Sequence, residues 1–328
     1  MILLLRNDLV ELILGMKFGI KTGQSGLTYD ELSSIWSKSE GLGFESAWLH
    51  DHFVALTIAD RTSDPCLEAY TTLAALARDT RSLRLGVMVT CAGYRNPAYL
   101  AKIGATIDSI SKGRFMMGIG TGWFEDEYRS YGYEFPPIPE RLGQLRETLK
   151  ILRLMWTETN PSFTGEHFSI LDAACNPRPV QANVPIWIGI SSGTKTLPRM
   201  SVELADGLNT TANPSLCGQI IERAEETRRK RRRERREVTY SAQPVLLVGT
   251  DQEIEEIVRH EAKRSGLSSR DYLKRLREKS CIIGTPERCA QELRAYSDGG
   301  VDHLIPTIIG DRLLWPLETI RDRLLPLL

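Results

Sequence analysis

The sequence is poor in the features that mark several large classes of protein. Its 328 residues include only five histidines, and its six cysteines are scattered without a Cys-x-x-Cys pair. This spacing fits neither a zinc ribbon nor a dense disulfide framework, so free thiols in a cytoplasmic protein are expected. No apolar run reaches the roughly 18 residues that a membrane-spanning helix needs, so no membrane partner is expected.

Charge of one sign is not in excess either, since 42 Lys and Arg residues balance 42 Asp and Glu residues. The strongest basic run, RRKRRRERRE at 228–237, is interleaved with glutamates and has no aromatic residues beside it. A nucleic-acid surface needs net positive charge and, for single strands, aromatic stacking platforms. The run is therefore interpreted as the solvated face of an outer helix, and no nucleic-acid partner is expected.

The N-terminal segment MILLLRNDLVELILG is apolar in patches that Arg6, Asp8 and Glu11 interrupt. It lacks the basic start and small-residue cleavage site of a secretory signal. Met16 directly precedes the first clear strand, KFGIK. Residues 1–15 are therefore expected to be an extension outside the fold, with an amphipathic interface helix as the alternative, and residues 16–328 to form the domain.

From Met16 onward, short apolar runs alternate with segments of helical period. Strands are predicted at 17–21, 46–53, 84–90, 114–120, 185–190, 206–211, 239–249 and 301–309. Eight strands that alternate with helices predict parallel βαβ units closed into a single-domain (β/α)₈ TIM barrel. Two stretches exceed a minimal barrel, namely 158–184 and about 251–280, the second of which is expected to form two polar helices.

In such barrels the chemistry lies where the strands end, and the second strand ends in His50-Asp51-His52. An imidazole next to a carboxylate suits acid–base chemistry. The His-x-His spacing also permits a metal-dependent hydrolase, although no other histidine lies at the carboxyl end of a strand. A hydrogen-bonding cluster that only caps a helix is a third interpretation.

The fourth strand ends in three glycines at alternate positions, Gly118, Gly120 and Gly122. This pattern is not the dinucleotide fingerprint G-x-G-x-x-G. The glycines either let the backbone approach a flat ligand or relieve crowding inside the barrel, and the sequence leaves both interpretations open.

The fifth strand is followed by Ser191, Ser192, Gly193, Thr194 and Lys195 at a predicted helix start. Free amides, hydroxyls and the positive end of the helix together suit a phosphate group. The same residues also suit an ordinary helix cap.

Together these segments resemble the luciferase-like flavin and deazaflavin oxidoreductases, and in particular the branch that uses coenzyme F420. The matching segments are AWLHDHF (47–53), LGVMVTCAGYRNPAYLAK (85–102), SKGRFMMGIGTGWFEDEYRSYG (111–132), CNPRPVQ (175–181), PIWIGISSG (185–193), ELADGLN (203–209) and GTPERCAQELRAYSDGGVDHL (284–304). They cover most of residues 17–310 in the family's order.

The resemblance implies a homodimeric barrel enzyme that binds F420 and acts on a small molecule. It places Asp51 and His52 near the reactive ring face, with His52 exchanging a proton and Asp51 orienting it. It also implies a cofactor site and a substrate pocket. The implied cofactor residues are Val87 and Met88 in a bulge of the third strand, often with a non-proline cis peptide, Thr90, Gly120, Thr121, Gly122, Ser191, Ser192 and Gly193. Trp123 and Phe124 are implied to form a wall of the pocket.

Two departures from the family pattern bear on the ligands. A glycine pair is common where this chain has Ile190, Ser191 and Ser192, so hydroxyls are expected to contact the phosphate. The sugar-phosphate dehydrogenase branch has a catalytic acid where this chain has Trp123, so a sugar phosphate is not the expected substrate. The resulting hypothesis is hydride transfer between an organic substrate and F420; alternatives are an FMN-dependent monooxygenase and the metal-dependent hydrolase built on His50 and His52.

Overall fold

The computed structural model describes residues 16–57, 60–61 and 64–328. The predicted N-terminal extension, residues 1–15, lies outside the described residues. None of the described helices is long and apolar enough to cross a membrane.

The described chain contains a sheet of twelve strand segments in which every neighbouring pair is parallel. The sheet closes because the first strand pairs with the eighth, through Lys17 with His303 and Lys21 with Thr307. The barrel strands are Lys17–Phe18 with Ile20–Lys21, Ser46–Leu49, Arg84–Cys91, Phe115–Gly120, Ile186–Ile190, Gly207–Thr210, Thr239–Ala242 with Val245–Val248, and His303–Leu304 with Thr307–Ile308. The predicted (β/α)₈ barrel is confirmed.

The seventh and eighth strands are each interrupted by a proline, Pro244 and Pro306. Proline has no N–H to donate to a neighbouring strand, so the ladder breaks at these residues. Their carbonyl groups still accept hydrogen bonds, from Thr307 N to Pro244 O and from Lys21 N to Pro306 O, both at 2.9 Å. The sheet therefore continues past both interruptions, and the barrel stays closed.

Helices cover the outside of the barrel. They are Tyr29–Gly41, Ala69–Asp79, Pro97–Ser111, Ile138–Thr157, Thr196–Leu204, Pro214–Arg231, Pro286–Asp298 and Trp315–Thr319. The two polar helices predicted within 251–280 are Asp251–Arg264 and Ser269–Glu278. Elements that were not predicted include the helix Glu125–Ser130, the strand Ile282–Gly284, the helix Pro286–Asp298 and the hairpin of Phe163–Thr164 with Ser169–Ile170.

The lower part of the barrel interior is filled with large side chains. Trp48 and Trp187 stack with ring centroids 5.4 Å apart, and Met88, Met116 and Ile305 pack around them. All five are buried. Because this layer fills the barrel, open space for a ligand begins above it, toward the carboxyl ends of the strands.

The basic run is extensively ion-paired. Arg228 contacts Glu225 at 2.9 Å on the helix Pro214–Arg231, and Arg231 contacts Glu203 at 2.5 Å. Arg235 contacts Asp302 at 2.7 Å. The helix Pro214–Arg231 carries the first four residues of the run, so the outer-helix interpretation is confirmed for 228–231, whereas Arg235 lies beyond it in the short 3₁₀ helix Arg235–Glu237. The six cysteines, all within the described residues, are free thiols as predicted.

The packing of Gly118 provides a test of the fold. A Cβ atom there would lie 2.3 Å from the carbonyl oxygen of Val87 on the third strand, and this backbone atom cannot move aside easily. We expect Gly118→Ala to lower the free energy of unfolding by about 1–3 kcal/mol through overpacking. Gly218→Ala is the control, since a Cβ in that helix meets nothing within 4 Å. Urea unfolding of both variants measures the difference, and an unchanged midpoint for Gly118→Ala would contradict the packing described.

Candidate functional site

A cavity of about 520 Å³ lies at the carboxyl ends of the barrel strands. Its volume falls within the range of small-molecule and cofactor sites. The predicted site residues that line it are Asp51, His52, Met88, Thr90, Gly120, Thr121, Gly122, Trp123, Phe124 and Ser191. Val87, Ser192 and Gly193 are not among its lining residues. Ten of the 21 residues that line the cavity were thus predicted, and they come from four different strand ends.

His52 is held in the wall by Glu127. Its Nδ1 lies 2.9 Å from Glu127 Oε2, and an ionised carboxylate accepts hydrogen bonds, so Nδ1 carries the hydrogen. The Nε2 atom of His52 makes no hydrogen bond to the described part of the chain. The imidazole, which is 21% exposed, therefore has one nitrogen free to meet a ligand.

The Glu127 carboxylate is the centre of a buried hydrogen-bond network. Besides His52, it accepts hydrogen bonds from Tyr94 Oη at 2.7 Å, Phe53 N at 2.7 Å and Val54 N at 3.1 Å. Burial alone would raise the pKa of Glu127, but these donors outweigh burial and lower it. The network thus fixes an ionised carboxylate beside His52, although its side chain is fully buried.

Asp51 does not orient His52, and that prediction is wrong. Its carboxylate accepts two hydrogen bonds from Arg95, at 2.7 and 2.9 Å, and one from Cys91 N at 2.9 Å. Burial alone would lower the pKa of Arg95, but the Asp51 carboxylate beside it raises that pKa. Neighbours in sequence point to different sides at a strand end, so Asp51 faces the third strand while His52 faces Glu127.

Both ring nitrogens of His50 are engaged within the protein. Nδ1 accepts a hydrogen bond from His52 N at 3.3 Å, and Nε2 lies 3.1 Å from Ser25 Oγ. Burial lowers the pKa of His50 well below its ordinary value, and the charges of His52 and Lys21 act in the same direction. His50 is thus a neutral supporting residue. Among the described residues, no group of three or more His, Cys, Asp or Glu is placed to hold a metal ion, and the hydrolase interpretation is not favoured.

The predicted bulge of the third strand is present, but it is shifted by one residue. Val87 pairs with Met117 and Thr90 with Ile119, so Met88 and Val89 together lie opposite the single residue Gly118. The non-proline cis peptide joins Met88 to Val89, not Val87 to Met88. Val87 is still in regular pairing and is buried in the main hydrophobic core, so the wall is made by Met88 and Val89.

The glycines of the fourth strand make room mainly for protein atoms. A Cβ on Gly118 would meet the Val87 carbonyl at 2.3 Å, and one on Gly122 would meet Tyr128 Oη at 2.3 Å. Gly122 also has a φ of 75°, which glycine adopts without strain. Gly120 lines the cavity, and its Cβ would meet Val89 at 3.0 Å. The crowding interpretation therefore holds for Gly118 and Gly122, which accommodate the bulge and Tyr128.

The loop after the fifth strand lies at the open end of the cavity. Ser191 lines the cavity, whereas Ser192 and Gly193 are exposed. Gly193 has a φ of 87°, and nothing lies within 4 Å of its ideal Cβ position. The helix Thr196–Leu204 begins directly after this loop. The arrangement presents hydroxyl groups and a helix start to solvent beside the cavity.

Aromatic side chains form the rim next to His52. Trp123 and Phe124 stack with ring centroids 5.1 Å apart, and Trp123 meets the His52 ring edge-on at 5.8 Å. Trp123 is 66% exposed. The free Nε2 of His52 therefore lies beside an exposed apolar surface that a substrate can cover.

Several residues of the site were missed in the sequence, among them Glu127 and Lys21. Glu127 belongs to the acidic run Glu125-Asp126-Glu127, in which sequence alone does not show which carboxylate is buried. Lys21 ends the first strand and lines the cavity, and the rule that barrel strand ends carry the chemistry applies to it as well.

Comparison with known proteins places this geometry in a family. Curated relatives include an F420-dependent glucose-6-phosphate dehydrogenase of Amycolatopsis mediterranei, 29% identical over 202 residues, which are 61% of this chain and 59% of the relative. A protein of the same name from Intrasporangium calvum is 25% identical over 323 residues, covering 90% of this chain and 94% of the relative. The chain thus spans less than two thirds of the first of these relatives.

Solved structures show the same fold. An F420-dependent secondary alcohol dehydrogenase in complex with an F420-acetone adduct superimposes with a TM-score of 0.79 at 19% identity, covering 94% of this chain and 97% of that one. A coenzyme F420 dependent tetrahydromethanopterin reductase from Methanopyrus kandleri gives 0.77 at 19% identity, covering 95% and 99%. Residues 13–303 match the family model described as luciferase-like monooxygenase. The chain therefore belongs to the luciferase-like monooxygenase family.

Proposed function

We propose that the protein is an F420-dependent oxidoreductase that transfers a hydride between an organic substrate and the deazaflavin ring. The cofactor is supported by the curated relatives, which are named as F420-dependent dehydrogenases. The reaction class is carried by one observation, namely that His52 presents an unpaired Nε2 to the cavity while Glu127 holds its Nδ1.

The cavity fits a flat ring with a phosphorylated side chain. The bulge of Met88 and Val89 supplies one wall, and Thr90, Gly120, Thr121 and Gly122 extend it. The loop of Ser191, Ser192 and Gly193 would hold the phosphate with hydroxyl and amide donors. When bound there, the ring supplies the hydride acceptor or donor of the reaction.

The chain's own residues manage the proton that accompanies the hydride. In the oxidation of an alcohol, His52 Nε2 accepts the hydroxyl proton, and the Glu127 carboxylate stabilises the resulting imidazolium through Nδ1. In the reverse direction, Nε2 returns that proton to the carbonyl oxygen. Tyr94 and the two backbone amides keep Glu127 in place throughout.

We assign Asp51 a positioning role. Its three hydrogen bonds link the end of the second strand to Arg95 and to Cys91 N at the end of the third. These contacts fix the backbone beside both His52 and the bulge. Asp51 thus acts on the reaction through the walls of the site.

The substrate that best fits the rim is a small alcohol or carbonyl compound with an apolar body. Trp123 and Phe124 flank His52, and Trp123 takes the position of an acid in the sugar-phosphate branch. Lys21 is the one Lys or Arg among the described residues that line the cavity. This wall offers little to a phosphorylated sugar, so the relatives' named substrate is not carried over to this chain. The proposal includes a homodimeric, cytoplasmic enzyme whose barrel domain spans residues 16–328.

The proton role is tested by Glu127→Gln, with Glu125→Gln as the matched control. Glu125 lies on the same short helix but is exposed and pairs only with Arg129 there. Without the Glu127 charge, His52 loses its orientation and the stabilisation of its imidazolium, so we expect kcat to fall about 10²-fold. Cofactor affinity should stay as in the wild type, and Glu125→Gln should behave as the wild type.

His52→Ala should show a similar loss, and the double variant little more, because residues that act as a unit are not additive. Steady-state kinetics and cofactor titration on the four variants measure this. If kcat of the double variant fell by the product of the two single losses, Glu127 would act independently of His52.

Cofactor identity is tested by parallel fluorescence titrations with F420 and FMN. We expect tighter binding of F420, and a loss of at least about tenfold in Ser192→Asp, because a carboxylate repels the phosphate at close range. Ser269→Asp adds the same charge at the start of a distant helix and should bind as the wild type. Tighter binding of FMN would instead assign the chain to the flavin monooxygenases of its family.

The role of Asp51 is tested by Asp51→Asn, with Glu68→Gln as its control. Both carboxylates pair with Arg95, but Asp51 is 2% exposed and Glu68 is 42% exposed. Removing the buried partner should lower the free energy of unfolding by about 3–5 kcal/mol, and removing the exposed one by about 1 kcal/mol at most. Denaturant unfolding measures both. Equal effects would contradict the assignment of Asp51 as the anchor.

A further inference from the structure

Lys21 is a cation in the cavity that the mechanism above does not use. It ends the first strand, pairs with Trp48 and Thr307 in the sheet, and lines the cavity. Lys17 lies four residues earlier on the same strand. It also lines an interior space, but at the opposite end of the barrel. The same strand thus presents one lysine to each end, and only Lys21 faces the site.

The ammonium group of Lys21 has no partner in the described protein. Neither a hydrogen bond nor an ion pair joins its side chain to the described residues. The carboxylate of the cavity wall, Asp51, is already bound by Arg95 and Cys91. Burial lowers the pKa of Lys21 to about 8, which means that the fold disfavours the charge that this residue carries at neutral pH. An anionic group of a bound ligand would stabilise the charge of this buried, unpaired ammonium group.

Two amide side chains line the same cavity as Lys21. Asn209 on the sixth strand is bound to Ser241 Oγ at 3.0 Å, and Gln243 after the seventh is bound to Thr307 Oγ1 at 3.3 Å. Each of these bonds engages only one hydrogen-bonding group of the side-chain amide, which offers two N–H donors and one acceptor oxygen. Both residues line the cavity and still have hydrogen-bonding groups to offer a ligand. One cation and two amides together match a ring edge that alternates carbonyl and N–H groups.

We propose that Lys21 binds the pyrimidine edge of the deazaflavin ring and stabilises the negative charge that this edge gains on reduction, with Asn209 and Gln243 pairing to its carbonyl and N–H groups. The inference rests on the proposed function and deepens it. It makes Lys21 the residue that sets the preference of the site between the oxidised and the reduced cofactor.

The charge balance supports this assignment. In the oxidation of an alcohol, a hydride with its two electrons leaves the substrate carbon for the ring, and the hydroxyl proton goes to His52. A ring bound there would gain one negative charge, which would delocalise into its pyrimidine edge. A nearby ammonium in a site shielded from water stabilises this charge far more than it would in bulk water.

The first test is the stability of the cofactor-free protein. We expect Lys21→Met to raise the thermal unfolding midpoint, because the substitution removes an unpaired cation from the cavity and keeps the length of the side chain. Residues kept for function at the expense of stability behave in this way. A lowered midpoint would show that Lys21 supports the fold, and would overturn the inference.

The second test is the affinity for oxidised and chemically reduced F420, measured by calorimetry. The ratio of the reduced-form Kd to the oxidised-form Kd should rise about tenfold in Lys21→Met, which corresponds to a shift of about 30 mV in the potential of the bound two-electron couple. Lys21→Arg keeps the charge and should largely restore the ratio. Lys17→Met, the same change at the far end of the strand, should leave it unchanged.

The outcomes separate this inference from the proposed function. Wild-type protein that binds neither form of F420 would overturn both. Wild-type binding with an unchanged ratio in Lys21→Met would overturn the role of Lys21 alone. If the ratio stayed constant while KM for the substrate rose, Lys21 would be a substrate contact, and the inference would again be wrong.

Discussion

The site depends on one buried carboxylate that four donors hold in place. Glu127 joins the His52 imidazole, the Tyr94 hydroxyl and the backbone amides of Phe53 and Val54. Its helix follows the fourth strand, whereas its partners follow the second and third. The hydrogen bonds to Glu127 therefore determine how three separate loops meet, and with them the direction of the free nitrogen of His52. A buried charge persists at such a point because every donor around it is satisfied by it.

The same loops also carry a second, independent arrangement built on Asp51 and Arg95. Adjacent residues at the end of the second strand thus serve different partners: His52 turns to the fourth-strand helix and Asp51 to the third-strand end. The separation leaves the His52 imidazole on one carboxylate and the end of the third strand on another. If one carboxylate held both His52 and the cavity walls, a change in the protonation of His52 would also change the geometry of the walls.

The barrel and part of the cavity wall could be predicted from the sequence. The features that could not be predicted share a physical cause. The alternation of strands and helices indicated the barrel, and strand-end positions indicated the cavity wall, because both follow from local periodicity. Glu127 could not be singled out from Glu125 and Asp126, since burial of one carboxylate depends on donors 33 to 75 positions away. The bulge was placed one residue early for a similar reason: register is set by pairing with Met117 and Ile119 on the neighbouring strand. The helix Pro286–Asp298 does carry a helical pattern, since Cys289, Ala290, Leu293 and Tyr296 are buried on one face, and its spacing was sufficient to predict it.

The close contact between Gly118 and the carbonyl of Val87 has a consequence for attempts to redesign the site. Widening or narrowing the cavity by adding side chains on the glycine-rich strand is not open at Gly118 and Gly122, because protein atoms already lie where a Cβ would go. The adjustable surface is on the neighbouring third strand, in Met88 and Val89, whose side chains are in contact with both the cavity and the layer beneath it. A library confined to those two positions would reshape the cavity while leaving the pairing that closes the barrel untouched.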